Sequence, residues 1–166
     1  KNEAATEEAW QGGWFHTGDA AVRDESGMLY FMDRKKNIIR RAGENIAAAE
    51  IEACLNAHEQ CKQVAVLAAP DEVREEEVMA CVVVREGVDV SSDAARQALA
   101  QDLFDWSYER MAYFKAPGWV LFVDSLPMGT SAKVQKIHIF PAGVDPRTQP
   151  GVIDLRAQKK QKKVAH

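Results

Sequence analysis

Residues 33–52, DRKKNIIRRAGENIAAAEIE, constrain the fold of this chain more than any other stretch. Asp33, Arg34, Lys35 and Lys36 form a charged cluster that is costly to bury, so a surface or a ligand is expected beside it. Ile38 and Ile39 give a brief apolar beat before Arg40 and Arg41 return to charge. The next four residues, Ala42-Gly43-Glu44-Asn45, read as a turn, with Gly43 supplying a φ that no residue with a side chain adopts freely. Ile51, Cys54, Leu55 and His58 then recur at helical spacing, which predicts an amphipathic helix with one face inward. A charged pivot, a short ribbon, a glycine turn and a helix read together as a hinge, because hinges are a few boundary residues that absorb a large backbone rotation.

The rest of the chain is ordered around that stretch. Residues 1–11 are read as a short helix with Ala4, Ala5, Ala9 and Trp10 as its apolar residues. Asp24-Glu25-Ser26-Gly27 separates residues 20–23 from residues 28–32, which predicts a β-hairpin. Residues 64–68 and 78–84 are β-branched runs suited to buried strands, and the acidic stretch around Pro70, Asp71, Glu75, Glu76 and Glu77 reads as an exposed connection. Ser91 or Ser92 is placed to cap a second helix carrying Ala95, Leu99, Leu103 and Trp106. Residues 114–118 break it, and residues 119–123 form a further strand. The order ribbon, helix, strand, strand, helix, strand predicts an α+β fold: a small mixed sheet flanked by helices and preceded by a β-hairpin. The expected division is 1–35, 36–140, and 141–166 as an irregular tail ending in a solvated basic run.

Composition narrows the class. At 166 residues, 46% hydrophobic and 28% charged, the chain has globular composition and enough length for one core with an appendage. Its net charge of -4 argues against general nucleic-acid binding. Cys54, Cys61 and Cys81 show no metal-ligand spacing and two of them sit in apolar patterns, so they read as reduced core thiols of a cytoplasmic protein, and no metal site is expected. No apolar run reaches the length of a membrane span, and the polar, acidic start reads as a point inside a longer chain, not as a leader.

Two further segments flank the central stretch: GWFHTGD at residues 13–19 and LPMGTSAKVQK at residues 126–136. Three such segments in this order and at these separations resemble the adenylate-forming superfamily of acyl-CoA synthetases, carrier-loading adenylation domains and luciferases. The resemblance covers roughly residues 10–138 and points to the C-terminal part of such an enzyme. It implies that residues 1–35 end a large N-terminal domain, that residues 36–140 are a mobile C-terminal lid, and that ATP, Mg2+ and coenzyme A are used. The Ser/Thr/Gly-rich phosphate loop of the family is not found in these residues, so the chain by itself is expected to be catalytically silent, with the metal held mainly by the missing domain.

The resemblance also assigns roles. Lys133 matches the lysine that bridges the acyl carboxylate and the α-phosphate during adenylation, although Ala132 stands where the family usually has glycine. Asp19 is similar to the aspartate that accepts hydrogen bonds from the ribose hydroxyls, and Arg34 resembles the arginine that approaches the same ribose. Lys36 matches the hinge about which the lid swings. Gly43 matches the turn that lines the coenzyme A channel, with Ala42 again in place of a usual glycine, and Arg40 and Arg41 are candidates for the phosphates of coenzyme A. Trp14, Phe15 and His16 are read as packing residues.

The preferred reading is a carboxylate–CoA ligase, since RRAGENI, AAAEIE and the FKAP and LFVDSLP runs look most like CoA-dependent members. Among these, the Arg-Arg-x-Gly-Glu-Asn turn and the connection at residues 71–77 are similar to carnitine/crotonobetaine-type and medium-chain ligases. An adenylation domain that loads a carrier protein and a non-catalytic interaction module of the same fold are the alternatives. Expected partners are the N-terminal domain of the same protein, a small carboxylic acid and coenzyme A, with self-association through residues 1–35 when that domain is missing.

Overall fold

In the computed structural model, which describes residues 2–130 and 132–163, the chain opens with helix α1 (Glu3–Ala9), capped by the Asn2 side chain accepting from the Ala5 amide. A hairpin follows, β1 (Asp19–Arg23) against β2 (Leu29–Arg34), with Asp24 accepting from Ser26 and the Met28 amide to close the turn. The hairpin forms a two-stranded sheet of its own. Trp14, Phe15, Leu29, Tyr30 and Phe31 are all more than half exposed, so the aromatic residues read as packing groups are mostly uncovered among the described residues, with Phe15 meeting the Trp10 ring at 5.4 Å.

A second sheet holds the remaining strands. They are β3 (Ile38–Arg41), β4 (Glu44–Ala47), β5 (Cys61–Asp71), β6 (Glu75–Val84), β7 (Trp119–Phe122) and β8 (Ile153–Asp154), in the order β4-β3-β6-β7-β8 with β5 also paired to β6. Only β6 and β7 are parallel; the other pairs are antiparallel, so the sheet is mixed. Helices α2 (Ala48–Asn56) and α3 (Asp93–Arg110) lie on one face. Ser92 supplies the cap of α3, its Oγ accepting from Ala95, and Asp93 and Arg110 sit at the ends that favour their charges. Among the described residues no helix is long and apolar enough to cross a membrane.

The strands read as unbroken apolar runs because both faces of the sheet are covered. Val78, Ala80 and Val82 of β6 point to the helices with Ile51, Leu55, Leu103 and Phe104. Their neighbours Met79, Cys81 and Val83 point the other way, where Trp119, Leu121 and Leu126 meet Val134, Ile139, Phe140 and Val152. Cys61 and Cys81 are buried free thiols, and desolvation pushes them up to about 11 and about 12, which keeps them protonated and inert.

Two stretches differ from the reading of the sequence. The supposed connection at residues 70–77 is mostly strand: Pro70 pairs with Glu76 and Asp71 with Glu75, leaving only a tight turn between β5 and β6. Glu77, expected at the surface, is fully buried. The segment from residue 141, expected to be irregular, carries a short 3-10 turn at Pro146–Thr148, strand β8 and helix α4 (Arg156–Lys163), with Leu155 and Lys159 buried; residues 164–166 of that tail lie outside the described residues. Its few apolar groups are scattered between prolines and glycines, so no period betrays that they cover a sheet.

Gly118 makes room for the buried carboxylate. A Cβ there would stand 2.4 Å from Glu77 Cγ and 2.6 Å from Cδ. Gly118→Ala is expected to lower unfolding stability by about 1–3 kcal/mol, the usual range for overpacking a filled interior. Urea denaturation of the chain measures it, and an unchanged midpoint would show that the Glu77 side chain yields freely.

Candidate functional site

Asp33, at the end of β2, is the residue that ties the hairpin to the second sheet. It was expected in an exposed charged cluster but is 4% exposed, because three donors satisfy it: the Arg34 amide at 2.7 Å, Asn37 Nδ2 at 2.9 Å and the Ala49 amide at 2.9 Å. Helix α2 begins after Ala47, which has no side-chain oxygen, so the carboxylate of Asp33 serves as its cap from 16 residues away. Burial pushes the Asp33 carboxyl upward, but Asn37, the two amides and the charge of Lys136 outweigh it and hold it below the usual carboxylate value. The sequence signal that was missed is the uncapped helix start at Ala47, which demands an acceptor from elsewhere.

Immediately after Asp33, Lys35 and Lys36 lie exposed in a single 3-10 turn, Lys35–Asn37. Lys36, the expected hinge, is flanked there by exposed Lys35 and half-buried Asn37. Before it, Asp19 and Arg34 face each other across the hairpin, with Arg34 Nε 2.8 Å from Asp19 Oδ1 and the Lys35 amide donating to the Gly18 carbonyl. The two residues matched to ribose contacts are thus brought side by side, with Arg34 two residues before Lys36.

The glycine turn joins β3 to β4. Ala42 and Gly43 both have positive φ, 48° and 86°, the combination that a tight two-residue hairpin with the sheet's own twist requires. Alanine at 42 therefore keeps the backbone of a glycine at the cost of strain, on the order of 1 kcal/mol. No atom lies within 4 Å of where a Gly43 Cβ would be. The turn is fastened at its base: the Ala42 amide donates to the Arg74 carbonyl at 3.0 Å, and Arg41 pairs with Glu75 in the sheet. Arg40 is exposed. Arg41 is 5% exposed, and its Nε donates to both carboxylate oxygens of Glu77 at 2.8 and 2.9 Å. Its guanidinium is thereby turned inward, away from any phosphate arriving at the turn.

Lys133 is exposed on a second ribbon, in which residues 127–129 pair with residues 133–135. The Gln135 amide donates to Pro127, the Gly129 amide donates to Lys133, and Met128 bridges Val134. Ala132 has φ of 54°, again a glycine conformation held by alanine. The base of this hairpin is tethered by Lys136 to Glu52 of α2 at 2.7 Å, and Glu52 also accepts from the Val66 amide. Among the described residues no ion pair holds the Lys133 ammonium.

The two hairpins occupy opposite ends of β6. The glycine turn rests on Arg74 and Glu75, where β6 starts. The Lys133 hairpin reaches Gln63 through Met128, and Gln63 pairs with Val83, where β6 ends. At about 3.3 Å per strand residue, eight residues separate those anchors by about 26 Å.

The comparisons agree with this architecture. The family described as the AMP-binding enzyme C-terminal domain matches residues 50–133. The crotonobetaine/carnitine–CoA ligase of Proteus sp. (strain LE138) is 40% identical over 136 residues, 81% of this chain and 25% of that protein. The enzyme of the same name from Salmonella arizonae is 36% identical over 127 residues, 76% of this chain and 23% of that one. Among solved structures, o-succinylbenzoate CoA synthetase from Bacillus subtilis, in complex with its acyl-adenylate intermediate, superposes with a TM-score of 0.70 at 32% identity, over 86% of this chain and 27% of that one. ATP-bound MatB from Rhodopseudomonas palustris gives 0.64 at 28% identity, over 82% and 26%. The chain spans about a quarter of the length of the relatives it matches.

Proposed function

The chain belongs to the family of AMP-binding enzyme C-terminal domains, and from that premise we propose that it is the C-terminal part of an ATP-dependent, AMP-forming carboxylate–CoA ligase. Residues 36–140 are the mobile lid, and residues 1–35 end the large domain that holds ATP, Mg2+ and the acid. The reading rests on one observation above others: Lys133 and Gly43 stand at opposite ends of β6. A single nucleotide site cannot receive both together, whereas rotation about Lys36 offers them in turn.

In the first half-reaction the Lys133 ammonium lies between the acyl carboxylate and the α-phosphate. Charge builds there in the transition state, so a cation placed there stabilises it more than the separated reactants. Lysine suits the place, being a compact charge on a long stem at the tip of an exposed hairpin. Asp19 accepts from the ribose diol with Arg34 beside it. In the second half-reaction the turn at Gly43 lines the path of the thiol, where a side chain would narrow it. Arg40, exposed on β3, meets the phosphates of coenzyme A, and Arg41 serves the turn from beneath.

The bare hairpin supports the placement of residues 1–35. Two strands with Leu29, Tyr30 and Phe31 uncovered are barely stable alone, and an apolar surface of that kind marks a contact. The upstream domain of the parent protein covers it. The acid pocket belongs to that domain, so the acid is left as a small carboxylate.

The isolated chain, given ATP, coenzyme A and crotonobetaine, is expected to release neither AMP nor thioester. The full-length protein with its acid is expected to form AMP and acyl-CoA in equal amounts. Turnover by the isolated chain, or ADP in place of AMP from the full-length protein, would sink the reading.

A further inference from the structure

Glu77 is the most deeply buried charged group described here, and the two half-reactions make no use of it. Its side chain is 0% exposed, and it holds two cations from opposite parts of the chain. Arg41 of β3 donates from Nε to both oxygens, and Lys159 of α4 donates from Nζ to Oε1 at 2.5 Å and to the Phe114 carbonyl at 3.2 Å. The Val78 amide, at 2.8 Å, completes the shell of the carboxylate. Lys159 is 2% exposed at its side chain, so an ammonium, a guanidinium and one carboxylate share a dry interior.

Such a cluster is poor value as a source of stability. Buried ion sets are often matched or exceeded by apolar groups of the same volume, because desolvating the charges offsets their attraction. Two cations on one anion make the balance worse. Burial, followed by the charges of Arg41 and Arg74, lowers Lys159 to about 8 against the pull of Glu77. What the cluster does supply is direction: Arg41 is aimed at the Glu77 carboxylate, and Lys159 at the same carboxylate and the Phe114 carbonyl.

That direction ends at the glycine turn. Arg41 immediately precedes Ala42 and Gly43, whose positive φ values leave the turn little slack. Arg74, whose carbonyl holds the Ala42 amide, lies three residues before Glu77. On the far side, Lys159 is fixed because α4 is fixed. β8 pairs with β7, the Leu155 amide donates to Gly118 at 2.8 Å, and Arg156 lies 4.2 Å over the Trp119 ring while bonding Asp71 at 2.9 Å. Gly118 is also the residue whose missing side chain admits Glu77.

We propose that Glu77 and Lys159 are positioning residues for the turn at residues 42–43, acting through Arg41, so that the C-terminal segment braces the element that meets the thiol. The role in thioester formation rests on the function proposed above; the brace itself rests on the geometry alone. The segment that supplies Lys159 lies beyond residue 133, where the match to the family ends.

The test compares the full-length protein with Lys159→Met, Glu77→Gln and the double variant by amide hydrogen exchange and by the two half-reactions. In each single variant, exchange at residues 42–45 is expected to rise at least tenfold while α3 and the centre of β5 keep their protection. The double variant leaves the Arg41 guanidinium buried without a carboxylate, as Glu77→Gln does, so its exchange at residues 42–45 is expected to match that of Glu77→Gln with no further increment. With crotonobetaine as acid, the KM for coenzyme A is expected to rise in the single variants, with ATP–pyrophosphate exchange within twofold of the parent. Unchanged exchange at residues 42–45 in folded single variants overturns the brace, and so does a uniform rise across the whole chain. Faster exchange at the turn with an unaltered KM for coenzyme A leaves the brace standing and removes the function assigned to the turn.

Discussion

Lys133→Ala in the full-length protein is expected to abolish most acyl-adenylate formation and to spare the second half-reaction. Removing one preorganised charge from a phosphoryl or acyl transition state costs about a hundred- to a thousandfold in rate, and a loss of that size is expected in ATP–pyrophosphate exchange. Thioester formation from supplied adenylate and coenzyme A is expected to stay within a few fold of the parent, because the proposed rotation withdraws Lys133 from the nucleotide. The selectivity is what matters. Lys133 is exposed and, among the described residues, its ammonium is in no ion pair, so the substitution leaves no partner stranded and the fold should not notice. Equal loss of both half-reactions, or no loss of either, would remove Lys133 from the chemistry.

Gly43→Leu is the mirror experiment. A Cβ at that position meets nothing within 4 Å in this arrangement of the chain, so the side chain starts into open space, and the positive φ adds strain on the order of 1 kcal/mol. On the proposed function, rotation brings the turn to the nucleotide, and the same side chain would then stand in the path of the thiol. Thioester formation is expected to fall on the order of a hundredfold or more, the penalty of displacing a reactant by about 1 Å, while pyrophosphate exchange holds. A Gly43→Leu protein that makes thioester at the parental rate shows that the turn never meets the thiol. Together the two substitutions separate the half-reactions in opposite senses, which a general loss of folding cannot imitate.

How much of this was legible in the sequence depends on how far each partner lies along the chain. The strands of β5 and β6, the cap at Ser92 and the tight turn at Gly43 are set by neighbours a few residues away, and they were readable. The exposure of Lys133 followed from a turn-forming segment in the same way. Three other features depend on distant partners. Asp33 looked like one charge in a solvated cluster, but its acceptors are claimed by a helix start 16 residues on. Arg41 looked like a phosphate ligand equal to Arg40; the carboxylate that turns it inward is 36 residues away. Glu77 sat in an acidic run that read as a loop, and its second cation is 82 residues downstream in a tail that read as irregular. A run of glutamates gives no hint of which one is buried, because that choice is made by strand register, and in β6 Glu77 faces Gly118. The two alanines in glycine positions, Ala42 and Ala132, raised the question of whether the loops keep their shape. Their φ values answer it: both stay in the left-handed region.

The tether between Lys136 and Glu52 bears on how accurately the ammonium three residues earlier can arrive. A reactive group on a slack strap would search for its target, and its precision would come from the target. Here the strap is a cross-linked ribbon tied to α2, so on the proposed function the group is carried like the stylus of a plotter, its landing point set by where the carriage stops. On the proposed rotation about Lys36, errors in placement are expected to originate near residue 36 and at the α2 end that Asp33 grips, far from the tip that shows them.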